Sequence, residues 1–292
     1  MLRFLILFAL SFGTPLAWAL QVAATTASMG MLARAVGGPA VGVTVMAPPD
    51  RDPHQLQAKP SMMRALRDAD LVVAVGAELE VGWLPAALRG AANGRVLPGQ
   101  PGYFEAAAQV TLLDKGVADR ARGDVHPMGN PHVHLDPVRM ADIARALAQR
   151  LGRLDPARTG EYRTRAEAFA RAVTARLPGW QAQAAGSGGA VLYHKDGIYL
   201  LDRLGLPLLG TIEPIPGIPP TARHLAELTD RLRGRRGVVL YHPYQPAQGP
   251  QRVAGALGWK AIAVPMEPPV TASAEDYFRL IDQWVAALAL AK

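Results

Sequence analysis

The chain has 292 residues, of which 50% are apolar and 19% are charged, so it is globular rather than disordered and long enough for two domains. It contains no cysteine, which excludes disulfides, thiolate metal ligands and a lipid-bearing cysteine. Its net charge is +7, but the arginines are scattered along helical patterns without a cluster of base-stacking aromatic residues, so we expect no nucleic-acid partner.

The beginning of the chain has the pattern of a secretory signal peptide. Arg3 supplies the positive start, residues 4–10 form an apolar run, and Ala17-Trp18-Ala19 matches a small-residue cleavage site. The run is shorter than the roughly 20 residues of a membrane-spanning helix, which argues against a membrane anchor. We expect residues 1–19 to be removed on export.

Residues 20–154 alternate strand-like and helical patterns. Residues 22–24 and 41–46 are strand-like and flank a helical stretch, which is the order of a parallel crossover unit. Residues 71–75 form a continuous apolar run, typical of a strand buried on both faces. Short edge strands are predicted at Val96 and at residues 110–113.

His54 lies in the loop after the second predicted strand. Ligands of open parallel sheets collect outside the carboxyl ends of the strands, so this position suits a binding residue. A surface-loop imidazole without a function is the alternative.

A helix start is marked by Asp136, an N-cap residue, followed by Pro137 at the first helical position. Upstream, His132 and His134 lie two residues apart in an extended segment, so their side chains should point to opposite sides. We therefore expect only one of the two to face a given site.

A second long helix is predicted over residues 155–178, where Pro178-Gly179 should end it. The twenty-two residues from 156 to 177, at 1.5 Å each, would span roughly 33 Å, so we interpret this helix as a rigid connector. Residues 179–292 then repeat the strand and helix rhythm. In that part, His194 and His242 directly follow strands and Glu267 lies in the loop after another strand.

These patterns predict an α/β fold of two lobes, each a mainly parallel sheet flanked by helices, joined by one long connecting helix. If the strand ends of the two lobes face each other, His54, His132 and His194 meet between them. Imidazole nitrogens suit zinc, and the carboxylate of Glu267 would complete a tetrahedral site. Four unrelated side chains are the alternative.

The same residues carry a family resemblance that covers nearly the whole chain after the signal peptide. The sequence resembles the zinc- and manganese-specific periplasmic binding proteins of ABC importers in an ordered set of motifs: Asp52-Pro53-His54, Ala69-Asp70-Leu71-Val72-Val73, Pro131-His132, Leu135-Asp136-Pro137 and Glu213-Pro214. The likeness implies a metal held between two lobes, with His54, His132 and His194 at ligand positions. Manganese binders usually carry glutamate at the third position, so His194 favours Zn²⁺ over Mn²⁺.

The family resemblance also implies a function for this chain. We expect a monomeric periplasmic protein without catalytic activity that captures Zn²⁺ as cargo and delivers it to an ABC permease in the inner membrane. The family's fourth ligand is usually an aspartate in a late Leu-Asp-Pro segment, which here reads Val264-Pro265-Met266-Glu267-Pro268. Glu267 is the best match, with His242 or a bound water as alternatives.

Two other functions stay open at this point. His132-x-His134-x-Asp136 resembles the zinc motif of some hydrolases, although Pro137 replaces the next histidine of that motif. A metal-linked surface adhesin is the other alternative. The long histidine-rich loop of some zinc binders is missing, and Asp124, His126 and His134 are at most its remnant. The sequence predicts that His134 packs beside the metal and that His126→Ala barely affects zinc binding.

Overall fold

The computed structural model describes residues 19–116, 126–215 and 217–292. All of the predicted signal peptide except Ala19 lies outside these described residues, as does Asp124. Within them, every helix is too short or too polar to cross a membrane.

The described residues form two parallel sheets with the same strand order. The first contains β1 (Leu20–Ala24), β2 (Val41–Val45), β3 (Leu71–Ala74) and β4 (Tyr103–Glu105), in the order β2-β1-β3-β4. The second contains β5 (Ala190–Leu192), β6 (Leu208–Thr211), β7 (Val238–Tyr241) and β8 (Lys260–Ala263), in the order β6-β5-β7-β8. All paired strands are parallel, which confirms the predicted two-lobe α/β fold.

Helices flank both sheets and bury the apolar faces of the strands. In the first lobe these are α1 (Ala27–Gly37), α2 (Pro60–Asp68), α3 (Leu84–Ala91) and α4 (Pro137–Leu154). The long helix α5 (Thr159–Ala184) connects the lobes, and the second lobe adds α6 (Ile198–Leu204), α7 (Ala222–Leu232), α8 (Gln248–Leu257) and α9 (Ala274–Leu288). The predicted start of α4 is confirmed, because Asp136 Oδ1 accepts a hydrogen bond from Val138 N at 2.9 Å.

The connecting helix does not end where the sequence predicts. It begins at Thr159, after a 3₁₀ turn at Pro156–Arg158, and continues through Pro178 to Ala184. An internal proline removes a backbone hydrogen bond and costs ~3 kcal/mol. Packing beyond it opposes that cost: Trp180 is buried and donates its indole N–H to Asp282 Oδ1 of α9 at 2.6 Å.

The predicted edge strands were wrong. Val96 lies in a 3₁₀ turn (Gly94–Val96), and the edge of the first sheet is β4. Gly102 permits this pairing, because a Cβ there would lie 2.7 Å from the Asp70 carbonyl oxygen. Residues 110–113 pair with no strand, and Leu113 N instead donates to Tyr199 Oη in the second lobe at 3.0 Å.

One hydrophobic cluster runs through both lobes. It includes Met29 of α1, Leu147 of α4, Phe169 of α5 and Trp284 of α9. The lobes are therefore joined by shared packing as well as by the connecting helix, which opposes wide separation.

Candidate metal centre

Three histidines reach one point in the cleft from three loops. His54 lies in a 3₁₀ turn (Pro53–Gln55) beyond β2, and His132 immediately precedes the 3₁₀ turn that leads into α4. His194 follows β5, in the second lobe. The turns at these strand and helix ends direct the side chains of both lobes into the same cleft.

The imidazoles are close enough to share an ion. Ring centroids are 5.2 Å apart for His54 and His132, 5.5 Å for His54 and His194, and 5.4 Å for His132 and His194. One ligand nitrogen of each lies within 4.8 Å of the others. His132 is 0% exposed, and neither of its ring nitrogens has a hydrogen-bond partner among the described residues. Buried polar atoms without a partner are costly unless a ligand satisfies them.

Two carboxylates orient two of the three rings. Asp52 Oδ1 lies 2.8 Å from His54 Nδ1, and Glu213 Oε2 lies 3.0 Å from His194 Nδ1. Each carboxylate accepts the Nδ1–H, so Nε2 keeps its lone pair and is the nitrogen that can bind a metal. This carboxylate–imidazole arrangement also makes the ligand nitrogen more basic.

The protonation of the site suits cation binding. Burial, with smaller contributions from the neighbouring imidazoles, holds the pKa of His132 well below its usual value, so this ring is neutral. Burial lowers the pKa of His194 too, but the hydrogen bond to Glu213 and the charges of Asp196 and Asp52 outweigh it, and the net shift is upward. The pKa of Asp52 is lowered, because its bonds to His54 outweigh the effect of its burial. Asp52 therefore supplies a negative charge beside the imidazoles.

A fourth histidine contacts the cluster. His126 Nε2 lies 3.1 Å from His54 Nε2, the nitrogen that is not bonded to Asp52. A turn that starts at His126 places it there, since Gly129 N donates to the His126 carbonyl oxygen at 3.0 Å. Sequence analysis missed this position, because nothing in the spacing of His126 shows that the chain turns back toward His54.

Glu267, the predicted fourth ligand, is not one of the described side chains that converge in this group. Its Oε2 accepts a hydrogen bond from Ser28 N, in the first turn of α1, at 2.6 Å. Its Oε1 is buried, has no hydrogen-bond partner in the part of the chain that the structure describes, and lies 3.7 Å from His134 Nε2. The assignment of Glu267 as a ligand stays a prediction. His134 packs next to His132, with ring centroids 6.1 Å apart, and its Nε2 lies 3.2 Å from the Met266 carbonyl oxygen.

His242 directs both ring nitrogens to other partners. Nδ1 lies 2.8 Å from the Val264 carbonyl oxygen and Nε2 lies 2.6 Å from Asp196 Oδ2. Burial lowers the pKa of His242, but the charge of Asp196 outweighs it and the net shift is upward, while the pKa of Asp196 is lowered. Two acceptors require two N–H donors, so His242 is an imidazolium without a lone pair for a metal.

Asn130 and Tyr199 connect the ligand loops of the two lobes. Asn130 Oδ1 accepts from His132 N at 2.9 Å, and its Nδ2 donates to the carbonyl oxygen of Lys195, the residue after His194, at 2.6 Å. Tyr199 Oη donates to the Asn130 carbonyl oxygen at 2.5 Å. These bonds fix the separation of His132 and His194, and sequence analysis did not identify either residue.

The hydrolase-like motif does not form one site. Asp136 Oδ1 accepts from Val138 N at 2.9 Å and from Arg203 Nε at 3.0 Å, and Oδ2 accepts from Arg203 Nη2 at 2.9 Å. This carboxylate caps α4 and pairs with an arginine of the other lobe, so it is not free to join His132 and His134 around a metal.

Comparisons with known proteins agree with this architecture. A family model described as "Zinc-uptake complex component A periplasmic" matches residues 22–291. The fold is similar to a crystal structure of ZnuA, with 19% identity, a TM-score of 0.77, and coverage of 92% of this chain and 99% of that one. It is also similar to the solute-binding protein FpvC of Pseudomonas aeruginosa in complex with Mn²⁺, with 23% identity, a TM-score of 0.76, and coverage of 94% and 98%. A third similar structure is the laminin-binding protein Lmb of Streptococcus agalactiae, described as having adhesin and metal transporting activity, with 20% identity, a TM-score of 0.71, and coverage of 92% and 100%. A comparison with the curated proteins finds no match.

Proposed function

This chain belongs to the family of periplasmic zinc-uptake complex component A proteins, and from that membership we propose that it captures Zn²⁺ in the periplasm and delivers it to an ABC permease. The family consists of metal-binding, solute-binding proteins of ABC uptake systems, so the metal is cargo and the protein performs no catalysis. A cleaved signal peptide and a monomeric mature chain are part of this proposal.

The observation that carries the proposal is the meeting of His54, His132 and His194, from both lobes, around one point. His132 has two buried nitrogens without a hydrogen-bond partner among the described residues, and the other two rings are held through Nδ1 by Asp52 and Glu213. A site in which each of three imidazoles can offer a lone pair suits a cation.

The donor set supports zinc over manganese. Neutral imidazole is a ligand that Zn²⁺, Cu²⁺ and Ni²⁺ prefer, whereas Mn²⁺ prefers carboxylate, carbonyl and water oxygens. The similar protein FpvC was solved with Mn²⁺ and with Ni²⁺, so competition among metals is needed to rank the cargo.

The proposal is tested by metal binding to the chelator-stripped mature protein. We expect one Zn²⁺ per chain at about pH 7.5 and much weaker binding at about pH 5.5, because protons compete with the metal for imidazole nitrogens and the raised pKa of His194 brings that competition to a higher pH. Each of the three ligand substitutions should lower the zinc affinity by more than the roughly 10- to 100-fold that removal of an outer-sphere partner costs. These substitutions are His54→Ala, His132→Ala and His194→Ala.

His224→Ala is the matched control. Its Nε2 lies 2.9 Å from the Thr211 carbonyl oxygen, and the residue is not part of the cluster. Wild-type affinity in the three single variants, or equal wild-type affinity at the two pH values, would refute capture by these histidines.

A further inference from the structure

We infer that His126 provides the fourth metal ligand, so that the cargo is bound by four imidazoles while Glu267 remains bonded to Ser28. This inference rests on the proposed function. It also reverses the expectation, drawn from the sequence, that His126 barely matters.

The distance between His126 and His54 fits two ligands of one ion. Zn–N bonds of 2.0–2.1 Å in a tetrahedral site place neighbouring ligand nitrogens about 3.3–3.4 Å apart. The two Nε2 atoms are 3.1 Å apart, so His126 is already near ligand distance from His54. His126 lies outside the group formed by His54, His132 and His194, so its ring has to move toward the other two imidazoles when the ion binds. His54 gives its Nδ1–H to Asp52, so in the metal-free protein its Nε2 accepts a hydrogen bond from His126 Nε2–H. Binding a metal through this Nε2 requires the other neutral tautomer of His126, in which the proton is on Nδ1.

The backbone holds His126 in reach of the ion. The His126–Gly129 turn is followed by a hydrogen bond from Asn130 N to the Leu113 carbonyl oxygen at 2.8 Å. Gly129 has a φ of +120°, and a Cβ at this position would lie 2.6 Å from Leu112 Cβ. The turn therefore requires glycine, both for its backbone conformation and for the close packing.

Charge balance also favours a neutral fourth ligand. Asp52 and Glu213 contact the outer nitrogens of two ligands, and together their two negative charges neutralise a divalent ion. A neutral imidazole as the fourth ligand preserves this balance.

Glu267 already has a favourable position. Its carboxylate accepts the Ser28 N–H at the start of α1, where the helix dipole stabilises a negative charge. Its other oxygen, Oε1, has no hydrogen-bond partner among the described residues, so Glu267 is the competing candidate for the fourth position. The bond from Ser28 fixes this carboxylate beside His134, with Oε1 3.7 Å from His134 Nε2.

The experiment compares His126→Ala, His126→Gln and Glu267→Gln, with His224→Ala as the control, in zinc-competition titrations. X-ray absorption of the zinc-loaded wild-type protein counts the imidazole ligands without any substitution. We expect four imidazoles in the wild type, three in both His126 variants, and an affinity at least about tenfold lower in those variants. Glu267→Gln should retain four imidazoles and bind within about threefold of the wild type. Thermal melting of the metal-free variants checks that they are folded.

Three imidazoles with an oxygen from Glu267 in the wild type, or unchanged affinity in a folded His126→Ala protein, would overturn this inference and leave the proposed function intact. A wild-type protein that binds no zinc would overturn the proposed function itself.

Discussion

Replacing Glu213 with glutamine separates the charge of this residue from its hydrogen bonds. Glu213 uses one oxygen, Oε2, for both its contacts: His194 Nδ1 at 3.0 Å and Gly217 N at 3.0 Å. The amide oxygen of glutamine can accept both bonds, so Glu213→Gln removes the negative charge and keeps the geometry. Glu213→Ala removes both the charge and the bonds.

The expected effect on zinc binding has a magnitude and a pH signature. Loss of an outer-sphere carboxylate costs about 10- to 100-fold in affinity, or about 1.4–2.8 kcal/mol. Glu213 also helps to raise the pKa of His194 above its usual value. Because the metal needs the neutral ring, protons compete at a higher pH in the wild type than in Glu213→Gln. The variant should bind more weakly at about pH 8, and its affinity should begin to fall only at a lower pH.

Competition with a chromophoric chelator between about pH 5 and about pH 8.5 measures both effects. Glu227→Gln is the control, because it makes the same change on α7, where Glu227 pairs with Arg223 on the surface. A parallel loss of affinity without a shift along the pH axis would mean that Glu213 acts only through structure. Identical curves for the variant and the wild type would refute the role assigned to Glu213.

Two further predictions concern the groups around the ligands. Asn130→Ala should weaken zinc binding about tenfold, since it frees both the His132 and the Lys195 backbone. Asn130→Asp keeps the bond from His132 N but loses the bond to the Lys195 carbonyl oxygen. If this variant binds zinc as weakly as Asn130→Ala, the bond to Lys195 is the one that supports zinc binding. The second prediction concerns the buried pair of Asp196 and His242. The pKa of His242 is raised and that of Asp196 is lowered. The ion pair therefore stabilises the metal-free protein at pH values above the pKa of Asp196 and below the pKa of His242. Urea unfolding should show stability falling as the pH rises through the raised pKa of His242. Asp196→Asn should lose this dependence, and an unchanged pH profile would contradict the ion pair.

The fold was predictable because local signals agreed with the topology. The continuous apolar run at residues 71–75 and the strand-helix-strand order indicate parallel strands buried on both faces, and β3 lies inside its sheet. Asp136-Pro137 specifies a helix start from neighbouring residues alone, and the cap is present. The positions of His54 and His194 after strands followed from the same topology.

The features that could not be predicted from the sequence depend on contacts between residues that are far apart in the chain. The continuation of α5 past Pro178 is supported by Trp180 and its bond to Asp282, 102 positions away. The contact of His126 with His54 spans 72 positions, and the Ser28 bond that holds Glu267 spans 239. Local propensity carries no information about such pairs, so the fourth ligand could not be settled from spacing.

The apolar cluster shared by the two lobes determines how cargo can leave. Separating the two lobes widely would expose side chains such as Phe169 and Trp284 to water. The cost is roughly 25 cal/mol for each square ångström of apolar surface that becomes exposed. Under the proposed function, the ion therefore has to leave through local movement of the ligand loops, while the packing between the lobes stays intact.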